Sequence, residues 1–235
     1  MKRIIFALLL MATMPSFAQV RPFVGGAWGL SNFSNMPSST GSPLAFRIGG
    51  GVMIPLNKVV RLSSELYLSS KTGEFDGYCG NEEINTGQLQ TRLTYLELPV
   101  YAAFPIRLGD NVNLLLKTGI YGAYGLNGRT TFYFDESWLS TRFGGNIFKH
   151  GTDFDGAVTD NDKERIAYPA FRHFDCGLAE SVGIELHHVL FEVAFLAGLN
   201  PLTNTSVTYD AYTSKPIGDH RPKTVTFYFS AAYKF

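Results

Sequence analysis

No stretch of this 235-residue chain is long and apolar enough to cross a bilayer as a helix, which takes about 20 apolar residues. The run Ile4–Met14 falls short, and elsewhere a charge or a glycine intervenes. Cysteine is scarce too: Cys79 and Cys176 are the two present, so no disulfide framework can carry the fold. Excess positive charge is missing, since 20 Lys and Arg balance 20 Asp and Glu, and nothing points to nucleic acid. A Gly-x-Ser-x-Gly elbow is absent, as is a zinc spacing among His150, His173, His187 and His188. The acidic run from Asp153 through Asp155 and Asp160 to Glu164 lacks the offsets of an EF-hand, and reads as a solvated loop.

What is present is glycine and aromatic residue: 24 Gly, 19 Phe and 12 Tyr. The mean hydropathy of +0.02 is low for a membrane protein. A β-barrel, however, conceals its membrane signal by alternating lipid-facing and interior residues. The last twelve residues show that alternation: Val225, Phe227, Phe229, Tyr233 and Phe235 share one face, and Thr224, Thr226, Tyr228, Ser230 and Lys234 the other. The strand ends on an aromatic residue. At the other end, Lys2 and Arg3 precede the apolar run, and Pro15-Ser16-Phe17-Ala18 follows with the small residues a signal peptidase requires. Residues 1–18 are therefore expected to be a signal peptide, and 19–235 a single outer-membrane domain.

A period of two marks eight strands, near Arg21–Phe33, Leu44–Ile54, Val59–Lys71, Thr91–Phe104, Val112–Leu126, Phe171–Glu185, Val189–Leu199 and Thr224–Phe235. Their connections alternate between short (Pro55–Lys58, Pro105–Asn111, Leu186–His188) and long (Ser34–Pro43, Thr72–Gln90, Asn127–Ala170, Asn200–Lys223). Short periplasmic turns and long extracellular loops are how bacterial barrels are wired. The expected fold is all-β: an eight-stranded antiparallel transmembrane β-barrel. A ten-stranded barrel, in which two segments of Asn127–Ala170 also cross, is the alternative.

One parity of these strands is apolar and faces lipid, with one exception: Glu180, which a bulge or a shifted register would explain. The other parity collects Arg47, Arg61, Glu65, Glu97, Lys117, Asp175, Glu185, Glu192 and Lys234, nearly balanced in sign. With tight hairpins, Arg47 falls opposite Glu65 and Glu97 opposite Lys117, giving interior ion pairs. An eight-stranded barrel has room for side chains only, so mutual neutralisation is the expected role, with an ion or proton path as the alternative. Pro99 cannot donate to a ladder and is expected at a bulge. A disulfide between Cys79 and Cys176 would require the second external loop to fold back onto the wall.

Three segments resemble the PorT-like outer-membrane β-barrel family: Thr94-Tyr-Leu-Glu-Leu-Pro-Val100, Ser64-Glu-Leu-Tyr-Leu-Ser-Ser-Lys-Thr-Gly73 and the closing strand. The resemblance covers nearly the whole mature chain. It implies a barrel in contact with outer-membrane lipid and lipopolysaccharide, and a role accessory to protein secretion with a protein partner in a secretion or envelope assembly. No cofactor is implied.

Loops are where barrels vary and where function is expected. In Asn127–Ala170 the run Arg129–Phe134 would extend the fifth strand above the membrane, and Trp138, Phe143 and Phe148 are candidate loop contacts unless they pack into an external hairpin. The expected function is that of a non-enzymatic surface or scaffold protein. A narrow solute channel is the alternative, and a lipid-modifying enzyme a third reading that needs Ser, His and an acid converging at the rim. Intact-mass measurement of the purified protein should give a chain beginning at Gln19; retention of Met1–Ala18 would remove the signal-peptide assignment.

Overall fold

The computed structural model describes residues 20–35, 43–78, 86–134, 140–142, 146–149, 152–155, 165–168, 170–204 and 221–235. Among them run β1 (Arg21–Ser34), β2 (Leu44–Pro55), β3 (Arg61–Tyr78), β4 (Thr86–Gly109), β5 (Val112–Phe134), β6 (Ser140–Arg142), β7 (Thr152–Asp155), β8 (Arg165–Tyr168), β9 (Phe174–Leu186), β10 (Val189–Gly198) and β11 (Lys223–Lys234). The eight long strands pair antiparallel in the order β4-β3-β2-β1-β11-β10-β9-β5, and β5 returns to β4. The sheet is thus a closed eight-stranded barrel with no open edge, as hydrocarbon demands of any sheet that crosses it. Neither extra crossing of the ten-stranded alternative occurs: β6 pairs with the upper part of β5, and β7 and β8 form a separate hairpin. Asp153 and Asp155 therefore lie on a strand rather than in a simple loop. The expected signal peptide, Cys79, His150, Trp138, Phe143 and the acidic residues Asp160, Asp162 and Glu164 lie outside the described residues.

The periplasmic turns differ from expectation in ways that change the pairing. Strand β4 continues through Pro105 to Gly109, so the turn to β5 is Asp110–Asn111 rather than a loop centred near Arg107. Between β2 and β3 the connection runs to Val60, closed by Asn57 Oδ1, which accepts 2.8 Å hydrogen bonds from the N–H groups of Val59 and Val60. His187, in the two-residue turn between β9 and β10, takes a left-handed φ of 44°. Arg47 consequently faces Ser69, and Glu97 faces Ala123. Neither expected cross-strand pair forms.

Pro99 is not at a bulge. It pairs in register with Tyr121, while the β3 ladder is unpaired only between Ser64↔Val100 and Tyr67↔Glu97, the side on which a missing N–H leaves no gap in β5. The bulge lies higher, where Tyr95 faces Gly125 but Thr94 faces Asn127, so Leu126 is the extra residue.

Glu180 is exposed on the lipid face of β9 in an uninterrupted register, which removes both the bulge and the register-shift explanations. Its neighbour on β5 compensates instead, as Thr118 Oγ1 donates a 2.7 Å hydrogen bond to Glu180 Oε1. A lipid-facing carboxylate still costs free energy, so Glu180→Leu should raise the unfolding free energy of the vesicle-inserted barrel by roughly 1 kcal/mol. Urea titration measures it; a loss of stability would show that the Thr118 hydrogen bond outweighs the cost of the charge.

Candidate functional site

The lumen is the only place the fold gathers buried charge among the described residues, and its geometry follows from strand parity. Residues of one parity on eight strands converge on a narrow axis, so oppositely charged side chains from adjacent, next-nearest and opposite strands meet inside the lumen. On β2, Arg47 reaches Glu97 of β4 at 3.6 Å. From β5, Lys117 Nζ donates to Glu65 Oε1 of β3 at 2.8 Å and lies 2.5 Å from Glu192 of β10. The four charges singled out by sequence are thus all buried, but the partners are exchanged: Arg47 with Glu97, and Lys117 with Glu65.

Three tiers result. In the outer tier Lys71 Nζ stands 2.8 Å from Glu97 and 3.8 Å from Asp175, whose Oδ2 also accepts from Thr224 Oγ1 at 2.8 Å and Tyr121 OH at 3.1 Å. The middle tier is Lys117 with Glu65 and Glu192. At the periplasmic end, Glu185 is shared by Lys234 at 2.6 Å, Arg61 at 2.7 Å and Arg21 at 3.9 Å. That end opens into a cavity of about 890 Å³ lined by Arg21, Lys58, Arg61 and Arg107. Lys71, fully buried, is a member of this charge network that the sequence reading passed over, although it shares the parity of Glu65 and so could have been placed inside.

The buried cations of the two upper tiers, Arg47, Lys71 and Lys117, also have aromatic faces beside them. The Arg47 guanidinium lies 4.4 Å from the ring centre of Tyr67 and 4.5 Å from that of Tyr228. Lys71 Nζ lies 4.7 Å from Tyr121 and 5.5 Å from Tyr95, and Lys117 Nζ 5.3 Å from Tyr101 and 5.7 Å from Phe23. Ring quadrupoles attract a cation most where water is excluded. These rings fill the space that a pore would need.

An external plug completes the filling. Ile147 and Phe148, carried by the connection between β5 and β9, are buried against the upper barrel. Ile147 N–H donates to Gly128 O at 3.1 Å and Ile147 O accepts from Phe171 N–H at 3.0 Å. Phe148 packs edge-on against Tyr95 at 5.7 Å and stacks on His173 at 5.1 Å. Gly125 and Gly128 have to be glycine here, because a Cβ on either would sit 2.3 Å from the Phe148 ring or from Ile147. Phe148, a candidate loop contact by sequence, is therefore core; apolar area outweighs its loop position. Cys176, half-buried on the wall, carries a free thiol.

A closed eight-stranded barrel with a lipid-facing apolar belt and a charge-filled lumen is an integral outer-membrane protein. A family model described as "Outer membrane protein beta-barrel domain" matches residues 16–204, and the chain belongs to that family. Among solved structures it is similar to the attachment invasion locus protein Ail of Yersinia pestis, determined with the heparin analogue sucrose octasulfate: 11% identity, 92% of this chain and 99% of that one, TM-score 0.37. It is similar also to Neisserial surface protein A, at 10% identity over 92% of this chain and 97% of that one, TM-score 0.36. The translocator domain of the autotransporter NalP from Neisseria meningitidis matches at 8% identity, over 100% and 95% of the two chains, TM-score 0.31. No curated protein matches the sequence.

Breaking a buried pair leaves an uncompensated charge, so Arg47→Met and Glu97→Gln should each cost about 3–5 kcal/mol. Glu97→Gln should cost more, because it strips Lys71 as well as Arg47. The double variant should fall short of the sum by about 1–3 kcal/mol. Urea unfolding of the four proteins in one detergent measures the cycle, and strict additivity would mean the two groups do not interact.

Proposed function

We propose that this outer-membrane barrel is a non-enzymatic surface or scaffold protein that works through its extracellular connections. The observation that supports it is the crowded lumen: among the described residues, three tiers of paired charge, wedged by tyrosines and covered by Ile147 and Phe148, occupy the space a continuous wet path would need. With the lumen and wall committed to stability, the long connections are the part free to meet a partner. Trp138 and Phe143 are the aromatics assigned to that contact. Export through a cleaved signal peptide belongs to the same reading. So does the role implied by the PorT-like resemblance, an accessory of protein secretion with a partner in a secretion or envelope assembly.

Single-channel recording of the refolded protein in planar bilayers tests the closed lumen. The parent should be silent, and Arg47→Ala/Glu97→Ala, which empties the outer tier of one pair, should leak intermittently. Steady openings of the parent would overturn the reading in favour of a narrow channel.

A further inference from the structure

Above the lipid belt, β4 and β5 carry a pairing that the barrel itself does not require. Arg92 and Arg129 are direct cross-strand neighbours, and both are exposed on the outer wall. Like charges opposite each other in a ladder are destabilising. Neither guanidinium has a hydrogen-bond or ion-pair partner among the described residues. The acid on the adjoining strand, Glu74, is engaged elsewhere, accepting a 2.6 Å hydrogen bond from Gln90 Nε2.

The bulge at Leu126 creates this juxtaposition. Below it, even-numbered residues of β5 such as Ile120 and Tyr124 face out; above it, Thr130 turns inward to Thr91, their hydroxyls 3.1 Å apart, and Arg129 turns outward beside Arg92. Without the extra residue Arg129 would point into the lumen. A bulge that re-aims a side chain in this way is characteristic of a functional position.

Height then selects the ligand. On β4 the outward apolar row from Leu96 to Ile106 spans the roughly 9–11 residues a tilted strand needs to cross hydrocarbon. Arg92 lies four residues beyond Leu96, about 13 Å along the strand at ~3.3 Å per residue, or about 9 Å in height at a tilt of ~45°. Head groups extend roughly 5–8 Å past the hydrocarbon on each side. At that height the two backbones stand at the outer edge of the outer leaflet's head groups, which long arginine side chains can reach back to, directly above Leu96, Tyr124 and Leu126, which are 43%, 54% and 45% exposed.

We propose that Arg92 and Arg129 clamp a phosphate group of an outer-leaflet glycolipid, whose acyl chains lie along the apolar belt below. One phosphate relieves the like-charge opposition, and two guanidinium forks match its oxygens with charge-assisted hydrogen bonds. This site depends on outer-membrane residence and not on the proposed surface or secretion role.

The test is titration of the detergent-solubilised barrel with diphosphoryl lipid A, dephosphorylated lipid A or inorganic phosphate, read by native mass spectrometry. The parent should retain diphosphoryl lipid A at least about tenfold more tightly than the dephosphorylated form, with inorganic phosphate a poor competitor. Arg92→Gln/Arg129→Gln should erase the preference, and Arg92→Lys/Arg129→Lys, which keeps the charge but not the fork, should restore part of it. Equal retention of the two lipids by the parent would overturn the site without recourse to any variant. Competition by inorganic phosphate as potent as the lipid would overturn its assignment to a lipid.

Discussion

Hydrocarbon offers no hydrogen bonds, and every other feature of this protein follows from that constraint. A sheet can cross a membrane only if it closes, and here closure is completed by the long β4–β5 pairing and by the terminal strand β11 lying against β1. Closing eight strands leaves an interior wide enough for side chains and little else. The inward parity must therefore fill a narrow cylinder while the outward parity stays apolar.

Filling that cylinder with charge is costly unless each charge finds its complement. Here three of the four buried cations each have a carboxylate within 4 Å and two aromatic rings within 6 Å: Arg47 with Glu97, Tyr67 and Tyr228; Lys71 with Glu97, Tyr121 and Tyr95; Lys117 with Glu65, Tyr101 and Phe23. The rings supply both volume and a polarisable face, which an aliphatic core cannot. The same crowding that stabilises the lumen leaves little free space among its described side chains. On the proposed reading, recognition falls to the two mouths and to the outer wall above the belt, where Arg92 and Arg129 are cross-strand neighbours.

Small irregularities of the sheet do the positioning. The extra residue Leu126 reverses the parity of the upper part of β5, which turns Thr130 to Thr91 inside and Arg129 to Arg92 outside. Gly125 and Gly128 on the same stretch admit the rings and methyl groups of Phe148 and Ile147 against the backbone. A single strand thus builds a membrane wall below, a plugged mouth at its middle and a charged outer rim, because one inserted residue and two missing Cβ atoms change what each face can touch.

The alternation of residue types determined, without any coordinates, eight strands and their approximate bounds, though not whether two more cross, the side of the wall most strand residues take, and the inward position of Arg47, Glu65, Glu97 and Lys117. Period-two patterning encodes these because facing lipid or facing the lumen is a local property of each residue. Which charge meets which was decided only in three dimensions. Register depends on where a turn closes, and β4 kept Pro105–Gly109 in its ladder while the β2–β3 turn lengthened to Val60, so both expected pairs slid apart. Contacts across the lumen join residues with no fixed spacing along the chain, as Lys71 and Asp175 show. The burial of Phe148, the partner that Thr118 provides for Glu180, and the meeting of Arg92 with Arg129 across a bulge likewise belong to tertiary structure, since each depends on a neighbour that only closure and register bring into place.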